Sequence, residues 1–427
     1  MGTILLLSFA ILLIIGVPIP FSLGISSLLV LLAGDMNTIL VPQRIIVGTD
    51  SFSLLAIPFF ILSGELMYRG GLSKRLINVA NAFIGRFTAG LAYVTTTAAT
   101  FFAAISGSAP ATTAAIGSIM IPEMEKKGYS RDFGAALATA AGPIGQMIPP
   151  SIPMVVWAVM ANVSITRLFL AGVIPGILMG IALCIVSYVI AKKRNIPKSG
   201  AEFSWKATFN ALKDGFWALM SPVIVLGGIY GGFFTPTEAA AISVVYGFIV
   251  GLFIYKDLKL SEIPAILINS VKTTTMVVFV ISVASLFGWI MANNNIAQII
   301  ANAILSISTN KIVILLLINV LLLILGCIMD NIAAMVILAS VLSYIAAQIG
   351  VDPVQFGAIV VINFAVGMIT PPIGYSLFVG ASISGLSIEK VSKALWPFLL
   401  AEIVVLMLLT YIPAITLYLP NLIMGMN

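Results

Sequence analysis

Gly145-Gln146-Met147-Ile148-Pro149-Pro150 is a stretch that returns later in the chain as Gly367-Met368-Ile369-Thr370-Pro371-Pro372, at an offset of 367 − 145 = 222 residues. Two consecutive prolines remove two amide donors and bar the residue before them from helical geometry, so a helix must open at each stretch. Such matches in register predict an internal duplication. Its further landmarks are Pro175 with Pro397, Gly128 with Gly350 and, with a slip of two residues, 62–67 with 286–291.

The composition predicts a membrane protein. The 427 residues are 60% hydrophobic and 8% charged, whereas a soluble domain carries about 25% charged residues. Long apolar runs, such as 166–191 and 311–328, do not alternate as barrel strands would, so we expect an α-helical bundle. The chain has no histidine, the usual general base of enzymes, which argues against an enzyme. It also has no G-x-x-x-x-G-K-[ST] motif to bind the phosphates of ATP, which argues against an ATP-driven pump.

Positive charge is distributed differently in equivalent loops of the two halves. The linker 192–215 and the loops 69–86 and 123–132 are basic, whereas 292–310 and 345–354, the mates of those two loops, carry no Lys or Arg. Basic loops stay in the cytoplasm, so the halves should have opposite orientations and both termini should be periplasmic. We interpret the net charge of +6 as this topology signal and not as a nucleic-acid surface.

The predicted organisation is an all-α polytopic membrane protein of two inverted repeats, 1–191 and 216–427, joined by the basic cytoplasmic linker 192–215. The first repeat should contain scaffold spans within 3–68, an interfacial arm at 72–86, a re-entrant hairpin at 88–122, a broken span at 133–163 and a span at 166–191. The second should contain scaffold spans within 216–291, an arm at 292–310, a hairpin at 311–349, a broken span at 354–384 and a span at 390–419. That makes about ten spans and two hairpins.

The hairpin tips and the opened helices are the predicted binding elements. Freed carbonyls and hydroxyls suit a small hard cation, and free N–H groups at half-helix N-termini suit an anion. One cation cage would use Ser106, Ser108, Thr112 and the carbonyls of Gly145, Ile148 and Pro150. Its symmetry mate would use Gly326, Asp330, Gly367, Thr370 and Pro372. A solute carboxylate would lie between the tips, near Thr112, Gln146, Asp330 and Asn331.

Three carboxylates have alternative interpretations. Asp330 is ionisable in an otherwise apolar segment, which marks a functional candidate; it could instead cap its hairpin in water. Glu65 and Glu238 lie near span ends, where a carboxylate costs little. The run Thr235-Pro236-Thr237-Glu238 also predicts a helix start, with Thr235 capping and Pro236 in the first turn.

At these residues the chain resembles the large, DctM-like membrane subunit of tripartite ATP-independent periplasmic (TRAP) transporters. The resemblance covers essentially the whole chain. It lies in 57–64, 106–109, 119–122, 145–151, 233–239 and 370–374.

The resemblance implies an elevator-type transporter, in which a transport domain holding both hairpins slides against a scaffold. It also implies sodium as the coupling ion, a small four-helix membrane subunit and a periplasmic substrate-binding protein as partners, and import of carboxylates across the bacterial inner membrane. Among the branches of the family, the motifs of this chain are most similar to those of the sialic-acid branch. By resemblance the sodium roles fall on Ser106, Ser108, Gly145, Ile148 and Pro150, and by the repeat on Gly367, Thr370 and Pro372. No other cofactor is expected.

Three other functions stay open at this point. A stand-alone sodium/dicarboxylate symporter of the same elevator type would need no binding protein. A passive channel is disfavoured because breaks from opposite faces suit alternating access. An intramembrane protease would need a Ser–His or Asp–Asp pair; the first is impossible without histidine, and Asp330 is isolated.

Overall fold

The structure, a computed structural model, describes residues 1–194, 204–308 and 310–425, and every regular element within them is a helix. In the first half these are α1 (Gly2–Ile14), α2 (Ile19–Ala33), α3 (Leu40–Val47), α4 (Ala56–Arg69, after a 3₁₀ turn at Phe52–Leu55), α5 (Leu72–Ile84), α6 (Gly90–Ser106), α7 (Ala109–Lys126), α8 (Arg131–Ala141), α9 (Ile144–Met147), α10 (Ile152–Met160) and α11 (Ile165–Lys193).

The second half begins with α12 (Trp205–Tyr230), α13 (Pro236–Ile249, continued by a π-helical turn at Val250–Ile254) and, after a 3₁₀ turn at Leu260–Glu262, α14 (Ile263–Asn293). It continues with α15 (Ile296–Leu305), α16 (Lys311–Ile328), α17 (Asn331–Gln348), α18 (Pro353–Gly367), α19 (Tyr375–Ser384), α20 (Ile388–Tyr411) and α21 (Pro413–Met424). Eight helices in the described residues are long and apolar enough to cross a membrane, or nine if the bent pair around Pro149-Pro150 forms one span. The all-α membrane class is therefore confirmed.

Both diproline stretches interrupt a helix. In the first half α8, α9 and α10 follow one another with a 43° bend across the break. In the second half α18 ends at Gly367 and α19 begins only at Tyr375. The peptide bond between the two prolines is cis in each stretch. After the first break, Ser151 starts α10 by accepting a hydrogen bond from the amide of Met154, so the helix resumes from a side-chain cap.

Several segments differ from the sequence-based expectation. α1 and α2 have 13 and 15 residues, so at ~1.5 Å per residue each is shorter than the ~30 Å hydrocarbon core. The segment 390–419 is two helices, because Pro413 supplies no amide to continue α20. α3 was not predicted. The expected linker 192–215 is helical from Trp205 onward, and its residues 195–203 lie outside the described part of the chain.

Helix packing forms two groups. α4 packs against α13 and α14, and α14 also contacts α2, α3 and α17. In the other group, α7 packs against α6, α8 and α19, while α18 packs against α16, α20 and α11. α5 bridges the groups, because it contacts both α12 and α6.

The two helix–turn–helix segments expected to be hairpins differ in their packing. In the first, α6 and α7 pack against each other. In the second, α16 packs on α18, whereas α17 packs on α10, α14 and α15, so its two arms diverge. The second tip is consequently held by two different sets of neighbours.

Arg75 fastens the amphipathic helix α5 to the group that contains α12 and α13. Its guanidinium pairs with Asp214 at 3.3 Å and with Asp257, and it lies 3.7 Å from the ring centroid of Tyr255. The Arg75 side chain is 14% exposed. Burial raises the pKa of the Tyr255 phenol, which stays neutral beside these charges.

Candidate functional site

Hydroxyl and main-chain oxygens converge at the first hairpin tip. α6 ends at Ser106, and the next residue, Gly107, has a positive φ of 61°, which places it in the left-handed region that favours glycine. Ser106 Oγ lies 2.8 Å from Thr112 Oγ1, and Thr112 Oγ1 donates to the Ser108 carbonyl at 2.9 Å. Ser108 itself caps α7. The tip therefore presents a compact set of neutral oxygens, the kind of ligand that hard cations prefer.

The opened helix lies directly against this tip. The amide of Ile152 donates to the Gly107 carbonyl at 3.3 Å. A Cβ on Gly107 would lie 2.7 Å from the Pro150 carbonyl oxygen, and one on Gly145 would lie 2.7 Å from the Ser108 oxygen and would also clash with Thr112. Five of the predicted first-cage residues thus meet, namely Ser106, Ser108, Thr112, Gly145 and Pro150. Ile148 lies in the same break, and its side chain faces Gly176 of α11.

The second tip makes the corresponding contact through main-chain atoms. The amide of Gly374 donates to the Cys327 carbonyl at 3.1 Å, and 374 − 152 = 222, which is the offset of the diproline stretches. A Cβ on Gly367 would lie 2.8 Å from the Gly326 Cα, so α16 and α18 touch backbone to backbone. Gly326 and Gly367 therefore meet as predicted. Thr370 Oγ1 donates to the Val366 carbonyl at 2.9 Å.

Asp330 starts α17. Its Oδ1 accepts from the amides of Ile332 and Ala333 at 3.0 and 3.1 Å, as an N-cap carboxylate does. The side chain is exposed in the described structure. Asp330 thus has a capping role, and its second oxygen is the charged group available to an ion or a solute.

One side-chain bridge joins the two halves at the breaks. Asn331 Nδ2 donates to Gln146 Oε1 at 2.9 Å, and Gln146 Nε2 lies 3.4 Å from the sulfur of Met368. Gln146 and Asn331 are 3% and 2% exposed, and Thr112 is fully buried. All four residues predicted to contact solute therefore spend polar atoms on protein partners, and Asp330 is the one of the four that is exposed.

The two breaks differ in exposure. Every residue from 142 to 151 is buried, whereas Pro372 and Ile373 are exposed and Thr370 is half-buried. The first break is thus enclosed by α6, α7, α11 and α18, while the second faces outward.

A polar network buried within the second half escaped prediction. Asn363 donates to Asn319 Oδ1 at 2.7 Å, Asn319 donates to Thr410 Oγ1 at 3.1 Å, and Gln355 donates to the Thr410 carbonyl at 3.2 Å. These residues connect α16, α18 and α20. The network therefore fixes one arm of the second hairpin to the broken helix.

Glu402 was also missed. It is fully buried in α20, and neither carboxylate oxygen has a hydrogen-bond partner within the described residues. An ionisable side chain in an apolar span was the available signal.

A polytopic helical bundle with two interrupted helices, each held against a helix–turn–helix tip, defines a membrane transport protein of the broken-helix kind. The family description that matches is "Tripartite ATP-independent periplasmic transporter, DctM component", over residues 6–415. The chain belongs to this family. It is a transporter permease and not an enzyme.

Relatives that are named for different substrates are similar to this chain over most of its length. The chain is 46% identical to the isethionate TRAP transporter permease protein DctMQ of Oleidesulfovibrio alaskensis, over 96% of this chain and 65% of that protein. It thus spans slightly less than two thirds of DctMQ. It is 42% identical to the C4-dicarboxylate TRAP transporter large permease protein DctM of Pseudomonas aeruginosa, over 94% of each chain. It is 39% identical to the sialic acid TRAP transporter large permease protein SiaM of Vibrio cholerae, over 97% of each.

Two solved structures share the fold. The Alcanivorax borkumensis YdaH transporter aligns with a TM-score of 0.62 at 15% identity, covering 87% of this chain and 86% of its own. Neisseria gonorrhoeae MtrF aligns with a TM-score of 0.61 at 15% identity, covering 88% and 85%. At this identity the likeness concerns the fold alone.

Proposed function

We propose that this chain is the large membrane subunit of a transporter that imports a small organic anion together with sodium. The observation that carries the proposal is the cluster of neutral oxygens where the first hairpin tip meets the opened helix. Thr112 Oγ1 lies 2.8 Å from Ser106 Oγ and 2.9 Å from the Ser108 carbonyl oxygen. The set contains no carboxylate, nitrogen or sulfur, which suits a monovalent hard cation better than a transition metal.

The second cage uses Gly326, Asp330, Gly367, Thr370 and Pro372. Its support is the repeated geometry: an amide after each break donates to the carbonyl of a hairpin tip, at sequence positions 222 residues apart. A sodium ion bound in either cage would exchange its hydration water for these oxygens. Its positive charge would then offset the negative charge of an adjacent solute anion. The chain's own residues supply the oxygen ligands of both cages.

The two packing groups support an elevator mechanism. The group of α6 to α11 and α16 to α21, which includes both arms of each hairpin, would move as the transport domain with both tips. The group of α1 to α4 and α12 to α14 would stay fixed as the scaffold. α5, which bridges them and carries Arg75, would act as the connecting arm.

The relatives support the substrate class and the partners. These relatives are named for isethionate, C4-dicarboxylate and sialic acid, all of which are organic anions. We propose that this chain works in the inner membrane with a small four-helix membrane subunit and a periplasmic binding protein. Sialic acid, which the similarity of the sequence motifs to the sialic-acid branch suggests, is one of the organic anions to be tested.

Uptake into proteoliposomes tests this function. The chain, its small subunit and its binding protein are reconstituted together, and uptake of labelled organic anions is followed with an inward sodium gradient, with potassium instead, and without the binding protein. Uptake that needs both sodium and the binding protein is expected. Equal uptake in potassium would refute the coupling, and full uptake without the binding protein would favour the stand-alone symporter.

Ser106→Ala examines the first cage specifically. The variant removes one hydroxyl oxygen, so the sodium concentration for half-maximal uptake should rise by about tenfold. Ser118→Ala is the matched control, because the Ser118 hydroxyl donates to the Ala115 carbonyl of its own helix at 3.1 Å. An unchanged sodium titration in Ser106→Ala would remove this residue from the cage.

Single cysteines determine the topology. On a background with Cys184 and Cys327 replaced by serine, Lys193→Cys should be labelled from the cytoplasm and Asn302→Cys from the periplasm. Both positions are exposed. Labelling of both from one side would overturn the inverted repeats.

A further inference from the structure

An open groove of about 550 Å³ lies on the surface between α6 and α11, and Ile84, the last residue of α5, also lines it. A Cβ on Gly180 would lie 3.4 Å from Thr100 Oγ1, so α6 and α11 touch beneath the groove. Within the described part of the chain, no charged side chain lines it. Neither sodium cage includes a residue of this groove.

The walls of the groove are apolar although threonines contribute to them. Thr96 and Thr100 donate their hydroxyl groups to carbonyls one turn back in α6, at 3.1 and 2.9 Å, so these hydroxyls are already satisfied. On the α11 side, Ile177, Ile181 and Ile185 are exposed at every fourth position. A hydrocarbon chain is the ligand that suits such walls, because it removes their apolar surface without leaving a polar group unpaired.

The groove is about half as deep as the membrane. From Ile177 to Tyr188 it follows 188 − 177 = 11 residues of α11, or about 16 Å, whereas the hydrocarbon core measures ~30 Å. The first part of α11 is covered, since every residue from 167 to 172 is buried and α21 packs on this helix. A helix that crosses the whole membrane would need the full depth. The open part matches one leaflet, and therefore one acyl chain of a lipid.

Positive charge lies at one end of the groove. Lys192 follows Tyr188 by four residues, so it lies on the same face of α11 as Ile185 and Tyr188. Lys192 and Lys193 are exposed, and neither forms an ion pair with a described residue. Tyr188 is also exposed, as tyrosines are at the level of the lipid headgroups. A negatively charged headgroup complements this end of the groove.

We infer that the groove binds an anionic phospholipid of the leaflet that Lys192 faces. One acyl chain lies along α6 and α11, and the phosphate lies beside Lys192 and Lys193. Because Ile84 belongs to α5, the bound chain contacts the proposed connecting arm as well as two helices of the proposed transport domain. The site requires neither sodium nor the solute, so it is independent of the transport proposal.

Native mass spectrometry of the full chain in detergent measures this binding. Palmitoyl-oleoyl-phosphatidylglycerol and palmitoyl-oleoyl-phosphatidylcholine, which have the same acyl chains, are titrated separately, and the dissociation constants of the first bound molecule are compared. The first phosphatidylglycerol should bind about tenfold or more tightly than the first phosphatidylcholine. Equal affinities would overturn the inference.

Two substitutions within the groove locate the acyl chain. Ile181→Trp and Ile185→Trp each place a larger side chain in the groove, so each should weaken binding of the first phosphatidylglycerol by about tenfold. Val404→Trp is the matched control, because Val404 is an exposed apolar residue of α20 that does not line the groove. Helical circular dichroism and thermal unfolding check that the variants fold. Binding by both folded groove variants as tight as by the control would overturn the inference.

Two double variants locate the headgroup. Lys192→Gln with Lys193→Gln should lower the affinity for phosphatidylglycerol to that for phosphatidylcholine, whose own binding should not change. Lys256→Gln with Lys259→Gln removes the same charge from exposed positions outside the groove lining and should keep the preference. The same preference in both double variants would place the headgroup elsewhere and overturn the site.

A helix of the proposed small membrane subunit is the alternative occupant of the groove. In the complex of this chain with that subunit, Ile181→Trp should still weaken the first phosphatidylglycerol by about tenfold relative to Val404→Trp. Loss of this difference in the complex would assign the groove to the subunit and overturn the inference.

Discussion

The Gln146–Asn331 bridge provides a sharp test of how the two halves are joined. Both side chains are buried, and their amides lie 2.9 Å apart. Gln146→Leu leaves the Asn331 amide buried without its acceptor, and Asn331→Leu leaves the Gln146 oxygen without its donor. Each should lower the free energy of unfolding by about 1–3 kcal/mol.

The double variant should cost much less than the sum of the two. When both partners are apolar and of similar shape, no polar group remains unsatisfied and the change can be nearly neutral. We therefore expect a coupling energy of about 1 kcal/mol or more. The measurement is denaturant unfolding in mixed micelles followed by helical circular dichroism, with the slope checked for constancy.

A control cycle uses Gln355→Leu with Asn331→Leu. Gln355 is also a buried amide, but its partner is the Thr410 carbonyl. This pair should be additive within about 0.5 kcal/mol. Additivity of Gln146→Leu with Asn331→Leu to the same precision would refute the bridge as an energetic link.

Three further outcomes are expected. Gly367→Ala should destabilise the protein by about 1–3 kcal/mol because its Cβ would meet the backbone of Gly326, whereas Gly288→Ala, which has open space, should not; equal melting curves would count against the close contact. Asp330→Asn keeps the helix cap and removes the charge, so its unfolding should be unchanged while sodium-dependent uptake falls by about tenfold or more; normal uptake would leave Asp330 a cap only. Arg75→Lys should lower the free energy of unfolding by about 1 kcal/mol, since the aspartate partners of Arg75 are half exposed. No loss of thermal stability would show that these ion pairs do not stabilise the protein.

Local chemistry made part of this structure predictable. Two consecutive prolines inside a span prevent a continuous helix. The two breaks could therefore be predicted from Pro149-Pro150 and Pro371-Pro372. The same holds for Thr235, where the predicted cap is confirmed: its hydroxyl accepts from the Glu238 amide, and the Glu238 carboxylate accepts from the Thr235 amide. Each of these signals lies within a few residues.

Pairings across the chain were beyond such reasoning. The Gln146–Asn331 bridge spans 185 residues, and one chain carries no signal that names the partner. Family membership was predictable because short motifs are spread along the entire chain.

The bonds Ile152–Gly107 and Gly374–Cys327 consist of peptide groups only, which every residue other than proline possesses. Replacing side chains nearby leaves such bonds chemically the same, so this part of the molecule is conservative by construction. Diversity must then accumulate elsewhere, on surfaces where side chains do the recognising. Members of a family built this way can differ in the solute that they transport while keeping the same two main-chain hydrogen bonds at the tips.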